Sequence, residues 1–114
     1  MLPSQYRFHS RGGVNYTRSH GRLVRGTELS LIVAKNTRGR KRFAVVVSKK
    51  VLKSAVGRNR VRRRIYEALR LELPKIHQPV DCLVMVFSSD IKSIEFNDLK
   101  NILFSLLKKA DIVV

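Results

Sequence analysis

The chain has one cysteine, no tryptophan, and only eight acidic residues against twenty-four lysines and arginines. A single cysteine excludes an intrachain disulfide and a CxxC zinc pair. Cys82 lies in "VDCLVMVF", where it reads as a buried structural thiol. No apolar run approaches the roughly 18 residues of a membrane-spanning helix. The opening "MLPSQYRFHSRGG" has no apolar h-region, so a cytoplasmic protein is expected. His9, His20 and His77 show no HxxxH or HExxH spacing and read as isolated surface side chains. A GxxxxGK[ST] phosphate loop is missing. Nor does any set of acids suggest converging carboxylates for metal-assisted chemistry. No catalytic residue and no metal ligand is assigned.

What the chain does have is positive charge, unevenly placed. The formal net charge is +16. Residues 1–66 carry eighteen of the lysines and arginines and one acid, Glu28, whereas residues 67–114 carry six bases and seven acids. Self-repulsion on this scale opposes folding, so a polyanion is expected in the working state. At 114 residues and 44% hydrophobic, the chain fits one domain, 1–114, with a real core.

Periodicity supplies the elements. "ELSLIVAK" (28–35) and "RFAVVVSK" (42–49) read as strands, and the Gly-containing "NTRGRK" between them suggests a hairpin and an antiparallel pair. Ser54 is an N-cap candidate for a helix whose stripe is Val61, Ile65, Ala68, Leu69 and Leu73, ended by Pro74. "VDCLVMVF" (80–87) suits a strand covered on both faces. Phe96, Leu99, Leu103, Leu106 and Leu107 mark a last helix within 93–109. Tyr6, Phe8, Val14 and Tyr16 offer anchors for a short N-terminal helix, but adjacent Gly12 and Gly13 argue against a continuous one. The elements describe an α+β domain with helices packed on a sheet.

The central question is "AVGRNRVRRRIYEALR", residues 55–70. Five arginines crowd a helix start, where the dipole disfavours cations. With Val61 and Ile65 inward, Asn59, Arg60 and Arg63 project outward and Arg58 and Arg62 flank them; Arg64 also lies off the stripe. Lys49, Lys50 and Lys53 run into the cluster from a strand end. A merely solvated face would carry acids at i+3 or i+4, yet Glu67 is the first available. Guanidinium forks bind phosphate bidentately, so a phosphate-binding surface is expected. Asn59 has two open readings, as a helix-start hydrogen-bonder or as a contact to sugar, phosphate or base.

"KKVLKSAVGRNRVRRRIYEAL" resembles the signature of the bacterial ribonuclease P protein subunit, with Arg58, Asn59 and Arg60 as its Arg-Asn-Arg triplet and "FAVVVSKK" as its preceding strand. The resemblance extends over the whole chain. It implies a single domain of order αβββαβα with a left-handed β-α-β crossover, like the second domain of small-subunit ribosomal protein five. It implies an RNA-binding subunit that joins a catalytic RNA and promotes removal of the 5′ leader from precursor tRNA. The RNA would do the hydrolysis, with magnesium held mainly by the RNA. Lys49, Lys50, Lys53, Arg58, Asn59, Arg60, Arg62 and Arg63 would bind that RNA. A cleft with Phe8, Tyr16, Ser30, Ile32 and Lys35 would hold the leader. Val14 and Arg18 stand where the family carries aromatics, and Arg64 and Tyr66 also depart from its pattern. No membrane partner is implied, and no protein oligomer is required.

The alternative is a structural RNA-binding protein of ribosomal type, which charge and size allow equally. A nuclease acting by its own side chains is a further reading, and membrane binding a weaker one. If the arginine helix docks on RNA, Arg60→Ala should weaken RNA binding and lower the salt slope by about one while the fold stays intact. An unchanged slope in a salt titration would count against that helix as the docking surface.

Overall fold

A strand apolar on both faces must be covered on both sides, and residues 80–86 meet that requirement. In the computed structural model, which describes residues 2–8, 11–36 and 39–112, this strand is central. The elements are α1 (Arg11–His20), β1 (Arg22–Val24), β2 (Leu29–Lys35), β3 (Arg42–Val47), α2 (Ala55–Glu72), β4 (Val80–Val86) and α3 (Phe96–Lys109). Single 3-10 turns occupy Ser4–Tyr6, Leu73–Lys75 and Ser89–Lys92. The sheet order is β1-β2-β4-β3. This is the α+β order that the family resemblance implies.

The antiparallel pairing expected between residues 28–35 and 42–49 does not form. β4 lies between them, antiparallel to β2 and parallel to β3. The reason lies at the start of β4. Arg42 forks onto Asp81 at 2.9 and 2.8 Å, and Asn36 Nδ2 donates to the same carboxylate at 2.8 Å. Asn36 N–H also donates to Pro79 O at 3.0 Å. Both ends of the 36–41 connection are therefore tied to residues that precede or open β4. Such a connection carries turn chemistry without a hairpin. Asp81 is buried in this network.

The hand of the β3-α2-β4 crossover follows from L-chirality. Phe43 points its side chain into the core shared with Val61 and Ile65 of α2. Its carbonyl accepts from Phe8 N–H, on the side away from β4. An L-residue on an upward strand with its side chain toward the viewer aims its carbonyl to the right. Viewed from α2, β4 is thus to the left of β3, and the crossover is left-handed against the general preference.

Alternation along the strands divides the interior. Leu29, Leu31, Val33, Phe43, Val45, Val47, Cys82 and Val84 face α2 and α3. Phe8, Ile32, Ala44 and Leu83 form a smaller cluster on the other face, joined by Val14 of α1. α1 is continuous through Gly12 and Gly13, which lie in its first turn, and buried Thr17 donates to Gly13 O at 3.0 Å. A Cβ at Gly21 would collide with Ile32 and the Thr17 carbonyl, so glycine lets the chain turn from α1 into β1. β1, absent from the periodicity reading, is three residues with only Val24 buried. Ser54 caps α2 by accepting from Gly57 N–H at 3.2 Å, and α2 stops before Pro74. α3 begins at Phe96, after the 3-10 turn. Among the described residues no helix is long and apolar enough to cross a membrane.

Two consequences can be measured. The Arg42 and Asp81 side chains are only 13% and 11% exposed, so Asp81→Ala strands a buried guanidinium. The expected loss is about 3 kcal/mol in urea unfolding; a loss below about 1 kcal/mol would contradict the role given to the pair. Burial, and then the Asp81 charge, push the Cys82 thiol up to about 12 from its ordinary 9.0. Above about pH 9 the unfolded chain releases this proton and the folded chain retains it, so stability falls as pH rises. Wild type should lose more stability than Cys82→Ala between pH 8 and pH 10, and iodoacetamide should label Cys82 at pH 8 only after unfolding.

Candidate nucleic-acid interface

The basic surface starts where β3 ends. Val51 and Leu52 N–H groups both donate to Ser48 O, which turns the chain and leaves Lys49, Lys50 and Lys53 exposed. α2 then runs back over the sheet, held by Val61, Ile65, Ala68 and Leu69, all fully buried. Its remaining side is free to carry charge.

The five arginines divide by partner. Arg58 folds back so that Nη1 donates to Leu52 O at 2.9 Å and Lys53 O at 2.8 Å. Arg60, although exposed, donates Nε to Lys92 O at 3.2 Å. Arg64 donates to Ile91 O at 2.6 Å and to Ile94 O. Burial, and then the neighbouring Arg60 charge, lower the Arg64 pKa. Backbone carbonyls of flanking turns thus take the place of absent acids. Arg62 donates to Asn59 Oδ1 at 2.9 Å, which ties the exposed Asn59 within the helix. Arg63 is exposed. Glu67 serves Arg70 instead, and that hydrogen bond leads the fall of its pKa to about 2.

Arg62, Arg63 and Asn59 form one wall of a cleft of about 840 Å³. Val56, 75% exposed, and Tyr66 belong to the same wall. The floor is β3 from Ala44 to Val47, and the far wall is Arg7, Phe8 and Val14. Among the described residues three arginines line this cleft and no acid does. The Arg7 guanidinium lies 5.9 Å from the Tyr66 ring centroid, and among the described residues its buried Nε has no hydrogen-bond partner. Burial, as the largest influence, raises the Tyr66 pKa. The surface can therefore grip a polyanion along α2 and admit an extended strand beside it.

The structure separates the residues expected to hold a leader. Phe8 lines the cleft, though it is only 4% exposed. Ser30 and Ile32 are buried, and Ser30 Oγ accepts from Gly26 N–H at 3.2 Å. Tyr16 and Lys35 line a different hollow, together with His20. His77 is exposed; His9 falls outside the described residues. Sequence reading did not single out Arg7, Ala44, Val46 or Val56 for the cleft. Alternation could have found Ala44 and Val46, opposite Phe43 and Val45, but Arg7 reaches the cleft only through the fold. Among the described residues no three His, Cys, Asp or Glu side chains converge.

Comparison with known proteins bears on the whole chain. The sequence profile of the family described as Ribonuclease P matches residues 2–111. The ribonuclease P protein component of Clostridioides difficile is 35% identical over 95 residues, spanning 83% of this chain and 82% of that protein. The Roseiflexus castenholzii protein of the same name is 34% identical over 108 residues, spanning 95% and 88%. Among solved structures, the Staphylococcus aureus RNase P protein superposes with a TM-score of 0.83 at 24% identity, covering 96% of this chain and 98% of that one. The Thermotoga maritima RNase P protein gives 0.81 at 23%, covering 90% and 96%. At these identities the structural likeness speaks to the fold.

Proposed function

The chain belongs to the ribonuclease P protein family, and from that premise we propose that α2 docks on the catalytic RNA while the adjoining cleft holds the 5′ leader of precursor tRNA. As a ribonuclease P protein component, it is an RNA-binding partner of ribonuclease P RNA in tRNA processing. That membership favours the subunit role over the structural ribosomal-type alternative. The single observation that carries the rest is the cleft that, among the described residues, three arginines line without an acid, continuous with the α2 surface.

Lys49, Lys50 and Lys53, with Arg58, Asn59, Arg60, Arg62 and Arg63, form the docking surface. Arg58 holds the lysine turn against α2, so its contribution is partly positional. Arg62 and Arg63 stand at the border of both regions and can bridge the leader and the catalytic RNA. Each phosphate met there displaces condensed cations and relieves repulsion among the arginines. Within the cleft, Phe8, Val14 and Val46 give an apolar surface to the sugar and base faces of a single strand, while Arg7 meets phosphate. Ile32 supports this region by packing in one cluster with Phe8.

Hydrolysis belongs to the RNA, and the protein positions the leader. Magnesium supplies the hydrolytic chemistry, and the cleft's guanidiniums are unsuited to hold a divalent cation. The ions therefore sit mainly on RNA. The role places the protein in the cytoplasm, and one protein per RNA suffices for it.

The deciding experiment is cleavage of precursor tRNA at low magnesium with the cognate ribonuclease P RNA, with and without the protein. Stimulated cleavage at the mature 5′ end, absent with protein alone, is expected. Tight RNA binding without stimulation would reject the subunit mechanism. Val46→Asp places an acid in the cleft floor. It should weaken precursor binding to the assembled enzyme about tenfold, with little effect on mature tRNA or on assembly. Equal weakening of both tRNAs would remove the leader from the cleft.

A further inference from the structure

The side of α1 remote from the cleft carries a feature that neither the core nor the arginine helix uses. Val14 faces the cleft; Tyr16, two residues on, is rotated about 200° around the helix. Tyr16 is 58% exposed, an unusual position for a large ring with no core to fill. Its ring stacks on His20, with centroids 4.2 Å apart and planes 15° from parallel. His20 Nδ1 lies 3.1 Å from Tyr16 O. A carbonyl only accepts, so Nδ1 carries the proton and the imidazole is held in place beside the phenol.

The pair borders a hollow of about 430 Å³ at the end of β2. Val33, Ala34, Val80 and Ile112 contribute its apolar lining, and Arg22 and Lys35 line it as well. Among the described residues no acidic side chain lines it. Arg22 donates to Ala110 O at 2.5 Å, which fixes its guanidinium in place, while Lys35 is exposed. Gln78 donates Nε2 to Asp111 O at 2.9 Å, which leaves its amide oxygen as an acceptor.

We propose that this hollow is a second RNA site, which seats an unpaired nucleotide with its base stacked on the Tyr16–His20 pair and its phosphate beside Lys35. Parallel aromatic rings are the surface on which a base continues a stack, and the Arg22 and Lys35 cations match a phosphodiester backbone. The Gln78 oxygen can accept from an exocyclic amine. The site is separate from the leader cleft, on the opposite side of α1, and does not depend on the cleft's assignment.

The chain has no tryptophan, so Tyr16→Trp creates a single indole reporter. Titration with a single-stranded hexaadenylate should quench its fluorescence. Lys35→Ala in that background should raise the apparent Kd severalfold. In the otherwise native chain, Tyr16→Ala should weaken hexamer binding ~5- to 100-fold, and Tyr16→Phe should leave it within about twofold. Thermal unfolding of each variant checks that the fold is kept. Quenching should persist when Val46→Asp places an acid in the cleft floor, so failure of the leader proposal alone would leave this one standing. An absent quench, an unchanged Tyr16→Ala affinity in a folded protein, or a quench lost with Val46→Asp would each overturn the proposal.

Discussion

The architecture depends on β4 being buried on both faces and paired on both edges. A strand with Cys82 and Val84 on one side and Leu83 on the other is stable only in the middle of a covered sheet. Its central place separates β2 from β3 and leaves β3 near the edge. It also requires α2 to cross from the end of β3 to the start of β4. That crossing sets the first turns of α2 beside the outer face of β3, with Arg7 and Phe8 opposite. The cleft is thus a by-product of how the sheet closes, and its walls come from parts of the chain far apart in sequence.

The arginine cluster shows how a fold can carry charge without neutralising it. Arg58, Arg60 and Arg64 use carbonyls at Leu52, Lys53, Lys92, Ile91 and Ile94. A carbonyl satisfies a guanidinium's donors and leaves its net charge in place. An aspartate would have satisfied the donors and cancelled the field that attracts RNA. The same economy holds the cations in fixed positions, so that binding phosphate costs less side-chain entropy. Arg62 and Arg63, less constrained, meet the cleft.

Local features were legible in the sequence. Helical spacing identified the α2 stripe and Ser54 as its cap, and the continuous apolar run identified β4 as a covered strand. The arginine cluster was legible because it is contiguous and its outward face follows from the position of Val61. Pairing was not legible, because turn chemistry at 36–41 is shared by hairpins and by connections that skip a strand. The glycines of α1 misled because propensity takes no account of where in a helix they fall, or of the burial of Thr17. Ser30 looked available as a hydroxyl and proved a buried acceptor for Gly26, while Tyr16 looked like a core anchor and proved exposed. Both depend on neighbours that only the fold supplies. The Arg-Asn-Arg resemblance, being specific, reached further than periodicity and carried the crossover's hand correctly.

The order in which the strands are synthesised has a consequence for folding. β1 and β2 can pair as soon as both exist, but β3, apart from its bridge to the Arg7–Phe8 segment, has no strand partner until β4 arrives, after the whole of α2. The folding nucleus cannot be a hairpin that grows strand by strand. The chain has to close a long loop before its central contacts reward it, which makes folding slow for its size. Until then the basic part of the chain is present without its tertiary frame, and in that state a polyanion meets mobile lysines and arginines rather than a shaped surface. Selective recognition of RNA therefore begins only when the last strand is in place.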